Sequence, residues 1–287
     1  MNFLQLEYFL KVANTCNITK AAKDLYISQP SLSQTIHNLE QELNIKLFER
    51  DKKGTILTKE GEILKKYASI AINAMADAKK ELSEVSASSP SLTLSITAAT
   101  GMLPDIMTKF ANLYPEIQLF ISQANVSNYM ENADLYIYSS LIPPSEDYMT
   151  VLKKESCYIG MSLDNPLSKE KKLSPAMLKN QNFLAMQGQL PLNRLTHDLC
   201  QKAGFSPNIS LELDNRELIF SLVSLSKGIT LVPIKTWAPL IHNDNIVLKK
   251  LDTPCYRYII LQWNPYRYKS KSMNVMINFL QDFFKNL

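Results

Sequence analysis

The side chains whose hydrogen-bonding chemistry is most specific in this sequence lie close together between positions 28 and 37. Serine hydroxyls, glutamine amides and an imidazole can donate and accept hydrogen bonds, and a glutamine amide can pair with adenine through two of them. These residues and the proline among them are Gln29, Pro30, Ser31, Ser33, Gln34 and His37. A helix that presents this set would be suited to reading base edges in the major groove of DNA.

Glycine spacing excludes the standard nucleotide-binding loops. The chain has 7 glycines in 287 residues, and no two are closer than seven positions. The dinucleotide fingerprint, the P-loop and the nucleophile elbow each need two glycines within about five positions. With only 3 histidines as well, we predict that the protein is not an enzyme.

The cysteines do not form a metal-binding pattern. Cys16, Cys157, Cys200 and Cys255 are far apart, and His197 is the one histidine close to any of them. A structural zinc site needs four ligands. We therefore expect ordinary buried thiols and no metal.

Composition and charge indicate a globular protein of about two domains. Apolar residues make up 46% and charged residues 20% of the chain, and the net charge of +4 is compatible with nucleic-acid binding. Glu7 and Lys11 interrupt the N-terminal apolar residues, and no uncharged apolar run approaches about 18 residues. We therefore expect a cytoplasmic protein with neither a secretory signal nor a membrane span.

Apolar residues at helical spacing predict three helices in the first 58 residues, then a hairpin over 50–58 that turns at Lys53-Gly54. The small pair Ala21-Ala22 would let the second helix, 18–25, cross the third closely. Ser28 and Pro30 predict the start of the third helix, since they are a cap residue and a first-turn proline. The arrangement is typical of a winged helix-turn-helix, and the alternative is another small helical bundle. The apolar positions of the first and third helices are Leu6, Phe9, Leu10 and Ala13, then Leu32, Ile36, Leu39 and Leu43.

One long amphipathic helix is predicted from Lys59 to about residue 87. Its apolar stripe includes several alanines, and the segment contains no proline. A helix of this length needs a partner for such a stripe, and alanines permit close approach. We expect dimerisation through it; the alternative is packing on the chain's own C-terminal part. The serine-rich segment 86–91 then predicts a linker.

Beyond this linker, strands and helices alternate, which predicts an α/β sheet with mainly parallel strands. The predicted strands are 92–97, 117–121, 134–138, 158–161, 183–186, 209–213, 229–232, 246–251 and 257–262. The predicted helices are 103–113, one that includes Leu178, 194–202, 217–225 and 275–284.

The sequence resembles the LysR-type transcriptional regulators over its whole length. The N-terminal motifs that carry the resemblance are Leu4-Gln5-Leu6, Tyr8-Phe9, Ala21-Ala22, Ser28-Gln29-Pro30-Ser31-Leu32-Ser33, Leu39-Glu40, Leu47-Phe48, Arg50 and Leu57-Thr58. The C-terminal motifs are Tyr114-Pro115, Asp134-Leu135-Tyr136-Ile137, Ala203-Gly204-Phe205-Ser206-Pro207 and Gly228-Ile229-Thr230-Leu231-Val232-Pro233. Two departures are Asn44, where the family usually has glycine, and Cys16-Asn17-Ile18, which replaces Gly-Ser-Phe. Asparagine tolerates the left-handed conformation next best after glycine.

The resemblance implies an α+β multidomain protein. It would have a winged helix-turn-helix over 1–58, a linker helix and hinge over 59–90, and an α/β effector-binding domain over 91–287. That domain would resemble periplasmic solute-binding proteins, with one subdomain at about 91–160 and 265–287 and another at about 161–264. The implied function is a sequence-specific DNA-binding regulator that is modulated by a small molecule in the cleft between them. The implied state is a homodimer or homotetramer, and RNA polymerase is a further partner that the resemblance allows.

The DNA contacts are expected on the recognition helix and the wing. The N-terminal residues of a recognition helix meet base edges, which points to the set named first. Arg50, Lys52 and Lys53 would reach phosphates or the minor groove. The alternative for the two lysines is a solvated turn. The alternative for His37 is that it faces phosphate or solvent rather than a base. Residues 1–66 have a net charge of +2, so specific binding would need two headgroups on a dyad-symmetric DNA site.

The family likeness places the effector beyond the carboxyl ends of four strands, near helix N-termini. Thr100, Ser127 and Gln187 are the expected polar ligands, with Asn215 behind them, and a small carboxylate or similar polar metabolite is favoured. Thr100 has the alternative of being only a helix cap. Arg194 could hold the anion or brace its loop. The full set of expected contacts is Ala99, Thr100, Gly101, Met102, Asn125, Ser127, Gln187, Gly188 and Asn215.

A transport protein of the solute-binding kind is the other alternative, because the C-terminal part resembles one. The N-terminal helix-turn-helix pattern and the absence of a signal sequence both argue against it.

Overall fold

The chain divides into two compact units in the computed structural model, which describes residues 1–51, 54–86, 90–122, 133–188, 190–265 and 269–287. The first unit is Met1–Ser88 with Pro265–Ser270, and the second is Ser89–Asn264 with Lys271–Leu287. Across those ranges, no helix is long and apolar enough to cross a membrane.

Three helices share the core of the first unit. They are α1 (Phe3–Thr15), α2 (Ile18–Asp24) and α3 (Gln29–Leu43). Ser28 accepts a hydrogen bond from the backbone N–H of Ser31, which confirms the predicted start of α3. Ala21 and Ala22 are buried where α2 meets its neighbours, as their small size predicted. The buried core contains Leu6, Phe9, Val12, Ala13, Ala21, Ala22, Leu32, Ile36, Leu39, Leu47 and Ala68.

Residues in the left-handed conformation cap the C-terminal ends of α1 and α3. Cys16 (φ 49°) caps α1, and Asn44 (φ 54°) caps α3. Asparagine suits this conformation, so the turn survives the loss of the usual glycine. Helix α1 ends at Thr15, directly before Cys16.

A hairpin and a long helix complete the described part of the first unit. Strands β1 (Phe48–Asp51) and β2 (Gly54–Leu57) pair antiparallel, which confirms the hairpin; its predicted turn at Lys53 lies outside the described residues. The Thr58 hydroxyl accepts the N–H of Gly61 at 2.9 Å, at the start of α4 (Lys59–Ser86). The predicted long helix is therefore confirmed.

The second unit alternates strands and helices. Its strands are β3 (Ser91–Ile96), β4 (Gln118–Ser122), β5 (Leu135–Ser140), β6 (Met149–Ser162), β7 (Asn182–Met186), β8 (Asn208–Leu213), β9 (Thr230–Pro233), β10 (Ile246–Lys249) and β11 (Tyr256–Trp263). Its α-helices are α5 (Leu103–Leu113), α6 (Pro191–Lys202), α7 (Arg216–Ser224) and α8 (Lys271–Lys285). Short 3₁₀ helices cover Thr100–Met102, Pro166–Lys169, Pro175–Leu178 and Ala238–Leu240, so the helix predicted at Leu178 is of this tighter kind.

The main sheet of this unit is mixed rather than mainly parallel. Seven strands join in the order β10-β6-β11-β5-β3-β4, and β9 also pairs with β6. The parallel pairs are β3 with β4, β3 with β5, and β7 with β8 in a separate sheet. However, β11 runs antiparallel to β5 and β6, and β6 runs antiparallel to β9 and β10. The prediction of a mainly parallel sheet is wrong, because two long strands pass in opposite directions between the two halves of the unit.

Those two strands, β6 and β11, connect two apolar cores. Leu152 of β6 and Ile259 and Leu261 of β11 pack in the first core, together with residues of α5 and α8. Further along β6, Cys157 and Ile159 pack in the second core, together with residues of α6. Strand β6 therefore contributes side chains to both cores, and β11 begins directly after Cys255, which packs in the second core.

The first half of β6 was not predicted as a strand, because Lys153-Lys154-Glu155 interrupts the apolar pattern. Each charge has a partner. Lys153 Nζ donates to the carbonyl oxygen of Phe284 at 3.0 Å. Lys154 Nζ lies 3.8 Å from the centroid of the Tyr256 ring, a cation–π contact. Tertiary contacts thus stabilise a strand that its own sequence pattern does not indicate.

Candidate functional site

The exposed face of α3 carries the residues predicted to meet DNA bases. Leu32, Ile36 and Leu39 bury the opposite face in the core. The helix therefore presents one polar surface from its first turn onward. Ser33 is half-buried, and the exposed members of the predicted set are Gln29, Pro30, Ser31, Gln34 and His37.

Hydrogen bonds along this face orient two of the glutamines. Gln29 Nε2 donates to Ser33 Oγ at 2.7 Å, and Gln34 Nε2 donates to Asn38 Oδ1 at 2.8 Å. The Gln34 amide nitrogen carries two hydrogens, so a second N–H remains beside the carbonyl oxygen for a two-bond contact with adenine. Asn38 is not among the residues predicted from the sequence. Its position four residues after Gln34 on the same helix could have indicated this contact.

Glu40 joins α3 to the wing strand β1. Its Oε1 accepts the backbone N–H groups of Leu47 at 2.8 Å and Phe48 at 3.3 Å, and its Oε2 pairs with Lys46 Nζ at 2.8 Å. Burial alone would raise the pKa of this carboxyl, but the bonds from Lys46 and the two N–H groups lower the pKa below its usual value. Arg50 belongs to β1, while Lys52 and Lys53 lie outside the described residues.

Tyr26 is a second residue that the sequence did not single out. It lies between α2 and α3, its φ is 57°, and 96% of it is exposed. The backbone N–H of Tyr26 donates to the carbonyl oxygen of Lys23, and the N–H of Ile27 donates to the carbonyl oxygen of Ala22. This pair of bonds is a common helix ending in which the left-handed residue is usually glycine. A tyrosine at this position is strained and gains little from packing.

A cavity of about 230 Å³ lies beside the carboxyl ends of β3 and β8 in the second unit. Its walls come from both halves of that unit, since Thr97 follows β3 and Asp214 follows β8. The lining residues are Thr97, Ala98, Ala99, Thr100, Ser139, Met186, Leu190, Leu192, Asp214, Asn215, Arg216, Glu217, Trp237 and Arg257.

Three of the expected effector contacts line this cavity: Ala99, Thr100 and Asn215. The Asn215 side chain accepts the N–H of Leu218 at 3.1 Å and so also caps α7. Arg194 is exposed on α6 and is not among the lining residues.

The other expected contacts lie elsewhere. A side chain at Gly101 would collide with Leu240, and Met102 is buried in the first core. Gln187 and Gly188 stand between the lining residues Met186 and Leu190 without lining the cavity themselves. Gly188 has φ 93°, so turn geometry accounts for this glycine. Asn125 and Ser127 lie outside the described residues.

An arginine bridges the cavity walls. Arg216 Nη1, at the start of α7, donates to Thr100 Oγ1 at 3.0 Å, and Arg216 Nε pairs with Glu217 Oε1 at 3.1 Å. Thr100 is thus not the side-chain cap of a helix, since Ala99 precedes its 3₁₀ turn and makes no side-chain cap bond. Ala99 itself has φ 59°, which places backbone strain at the cavity wall.

A buried ion pair lies at another wall of the cavity. Arg257 Nε of β11 donates to Glu155 Oε1 of β6 at 2.8 Å, and Arg257 Nη2 donates to Thr236 Oγ1 at 2.9 Å. Glu155 also accepts the N–H groups of Lys235 and Thr236. Both charged residues are nearly fully buried, at 1% and 3% exposure. Sequence reasoning assigned no role to either, although a charge inside an apolar strand was a readable signal.

No cluster of three or more His, Cys, Asp or Glu side chains suited to a metal occurs among the residues that the structure describes.

Family models match both parts of the chain. Residues 3–62 match the bacterial regulatory helix-turn-helix protein, lysR family, and residues 87–285 match the LysR substrate binding domain. The transcriptional dual regulator GltC of Bacillus subtilis is 30% identical over 249 residues, 83% of this chain and 82% of that protein. The HTH-type transcriptional regulator AlsR of the same species is 26% identical over 263 residues, 88% of this chain and 86% of that protein.

Solved structures share the fold. The Corynebacterium glutamicum OxyR C206 mutant superimposes with a TM-score of 0.60 at 23% identity, covering 99% of this chain and 93% of that one. Full-length BenM gives a TM-score of 0.57 at 22% identity over 100% and 97% of the two chains. The chain is therefore a member of the LysR family, a DNA-binding transcriptional regulator whose C-terminal domain binds a small-molecule effector.

Proposed function

We propose that α3 reads the bases of the operator from the major groove. The exposure of Ser31, Gln34 and His37 along one face supports this role, because these side chains lie in the first three turns of a helix anchored by its opposite face. The wing residues Arg50, Lys52 and Lys53 would add phosphate or minor-groove contacts.

The DNA site would be dyad-symmetric and bound by a homodimer or homotetramer. Ile63, Tyr67 and Met75 of α4 are exposed apolar residues on one long helix, which favours pairing with a second copy. The weak net charge of the N-terminal part also favours two headgroups on one site.

The effector would be a small anion, most simply a carboxylate, bound in the 230 Å³ cavity. The observation that carries this proposal is the Arg216–Thr100 hydrogen bond across the cavity. A carboxylate could accept two bonds from the Arg216 guanidinium, and such a charge-assisted pair is stronger than a bond to a neutral hydroxyl. Arg257 lines the adjacent wall, where Glu155 offsets its charge, so Arg216 would be the main cationic contact of the anion.

Replacement of the Thr100 bond by a bound anion would change how the two halves of the second unit are held. Arg216 begins α7, and Thr100 begins the 3₁₀ turn that leads to α5. The ligand would thereby take the place of a direct bond between the halves, and its binding energy would select a different arrangement of them.

Calorimetry with a panel of small mono- and dicarboxylates tests this effector class. We expect Arg216→Ala to weaken the best ligand roughly tenfold or more, because a charge-assisted bond is lost. The matched control is Arg194→Ala on neighbouring α6, which we expect to bind like the unaltered protein. An Arg216→Ala isotherm that matches the unaltered protein would contradict the proposal.

A reporter assay separates the effector response from DNA binding. We expect Thr100→Val to abolish the response while the affinity for DNA upstream of the protein's own gene stays unchanged. An unchanged response in this variant would count against a role for Thr100.

Several further expectations complete the proposal. The protein would act in the cytoplasm by binding rather than by turnover, with RNA polymerase as a further partner at the promoter. Its domains would be 1–58, 59–90 and 91–287, and the last would consist of two subdomains, about 91–160 with 265–287 and about 161–264.

A further inference from the structure

We propose that Cys255 is an oxidation site and that Cys157 resolves it to an intramolecular disulfide, because the Cys157 thiol of β6 faces the thiol of Cys255, the residue directly before β11, beside an open cavity. This site is separate from the effector cavity and does not depend on the proposed effector.

The backbone register places the two cysteines directly opposite each other. Tyr256 pairs with Ser156 in the antiparallel ladder, and the N–H of Cys157 donates to the carbonyl oxygen of Cys255 at 2.8 Å. Hydrogen-bonded partners in such a ladder have Cα atoms about 5.5 Å apart. Disulfides form at Cα separations of about 4.4–6.8 Å, so the backbone can accept this one in place.

Only one of the two thiols has a route from solvent. Cys255 lines a cavity of about 660 Å³ whose walls include Lys202, Asp252 and Tyr256. Its residual exposure is 6%, whereas Cys157 is at 2% and is not among the lining residues. A small oxidant would therefore meet Cys255 first.

The surroundings also distinguish the two sulfur atoms. A hydrogen bond from the Cys157 thiol lowers the pKa of Cys255, against the opposing effect of burial, and the nearby Lys202 charge lowers it further. The same bond raises the pKa of Cys157, which keeps its proton. In contrast, burial raises the pKa of Cys200 in the same core to about 11. Thiolate character favours oxidation, so Cys255 is the nucleophile of the pair.

The reaction needs one hydroperoxide for each disulfide. The Cys255 thiolate attacks the O–O bond, a sulfur–oxygen bond forms, and the displaced alkoxide or hydroxide takes a proton to leave as an alcohol or water. The Cys157 sulfur then attacks the sulfenic acid, a disulfide bond forms, and water leaves with the Cys157 proton. Two thiols are oxidised, and one peroxide is reduced.

The crosslink would act at the crossing of the two long strands. Glu155 and Arg257 form the next cross-strand pair on the same face, and Arg257 lines the effector cavity. Oxidation would thus fix the strands two residues from a wall of that cavity.

The test uses full-length reduced protein treated with an equimolar amount of hydrogen peroxide. After acid quenching, denaturation and alkylation, peptide mass mapping should show Cys157 linked to Cys255, with Cys16 and Cys200 alkylated. In Cys157→Ser, a cyclic 1,3-diketone should label Cys255 as the trapped sulfenic acid. The matched control Cys200→Ser removes a buried thiol of the same core and should still form the disulfide.

Two outcomes would overturn the proposal. One is that Cys157 and Cys255 of the unaltered protein both stay alkylatable after a peroxide treatment that oxidises exposed Cys16. The other is a disulfide that joins a different pair. Because both results come from the unaltered chain, a failure of either serine variant to fold does not affect the decision.

Discussion

Single side chains on α3 divide between packing and recognition. Leu32 and Leu39 are fully buried, whereas Gln34 lies on the exposed face with its amide oriented by Asn38. Orientation before binding reduces the side-chain entropy lost when a contact forms. Gln34 is therefore the residue for which base recognition can be tested most directly.

We predict that Gln34→Ala weakens binding to the cognate operator by about 1–3 kcal/mol, because one two-bond base contact is lost. Binding to random DNA should change little. Fluorescence anisotropy with both DNAs measures the difference. Gln41→Ala, an exposed glutamine near the end of the same helix, is the control and should alter neither affinity. Equal losses on both DNAs in Gln34→Ala would show that the residue does not read bases.

Tyr26 permits a prediction of stability at the same scale. Tyr26→Gly should stabilise the first unit by about 1 kcal/mol, since glycine adopts positive φ without the steric cost of a β-carbon. Urea unfolding of the full chain, followed by hydrogen exchange of α2 and α3 amides, measures the change. The control is Asn44→Gly, where the gain should be smaller because asparagine already tolerates this conformation. A gain no larger than that of Asn44→Gly would argue that Tyr26 is not strained.

Among the elements, the link between α3 and β1 depends on one carboxylate. Glu40 binds the backbone of Leu47 and Phe48 only as an acceptor, so its charged form is the stabilising one. Its folded pKa is lowered, so the unfolded chain binds the proton more readily. The stabilisation is therefore complete above the unfolded pKa of about 4.3 and is lost as the pH falls through the folded pKa.

We predict that lowering the pH from 7 to below about 4.3 decreases the free energy of unfolding less in Glu40→Gln than in the unaltered protein. The variant should also be less stable at pH 7, because the bond to Lys46 loses its charge. Urea unfolding at both pH values measures this. Glu42→Gln removes an exposed carboxylate from the same helix and should keep the pH dependence of the unaltered protein. An unchanged pH dependence in Glu40→Gln would contradict the assignment.

Across the whole second unit, two crossing strands hold the halves together through a buried charge pair. Glu155→Ala would leave the Arg257 guanidinium buried without its carboxylate, and such losses cost about 3–5 kcal/mol. Replacement of both residues by methionine should cost less than this single change. Urea unfolding, followed by hydrogen exchange of the β6 and β11 amides, tests whether Glu155→Ala costs more stability than the double replacement.

The control for this pair is the exposed ion pair between Arg216 and Glu217, in another wall of the same cavity. Glu217 is 64% exposed where it meets Arg216, so Glu217→Ala should cost at most about 1 kcal/mol. A Glu155→Ala variant as stable as Glu217→Ala would show that the buried pair does not hold the strands.

The sequence by itself determined the features that depend on neighbours a few residues away. The start of α3 at Ser28, the apolar faces of the helices and the left-handed ending at Asn44 all follow from local spacing and capping. The family resemblance rested on these same short motifs, and the matches over 3–62 and 87–285 confirm it.

Tertiary structure alone decided the antiparallel crossing of β6 and β11 and the charged walls of the cavity. Arg216 meets Thr100 across 116 positions of sequence, and Arg257 meets Glu155 across 102. The local pattern can show that a charge lies in an apolar strand, but it does not show which distant residue pairs with it, because the approach of distant strands creates both the cost of burying the charge and the partner that offsets it. The sequence alone therefore indicated the helices, the class of function and the cavity residues Ala99, Thr100 and Asn215, whereas the pairing of Arg216 and Arg257 with distant partners required the tertiary structure.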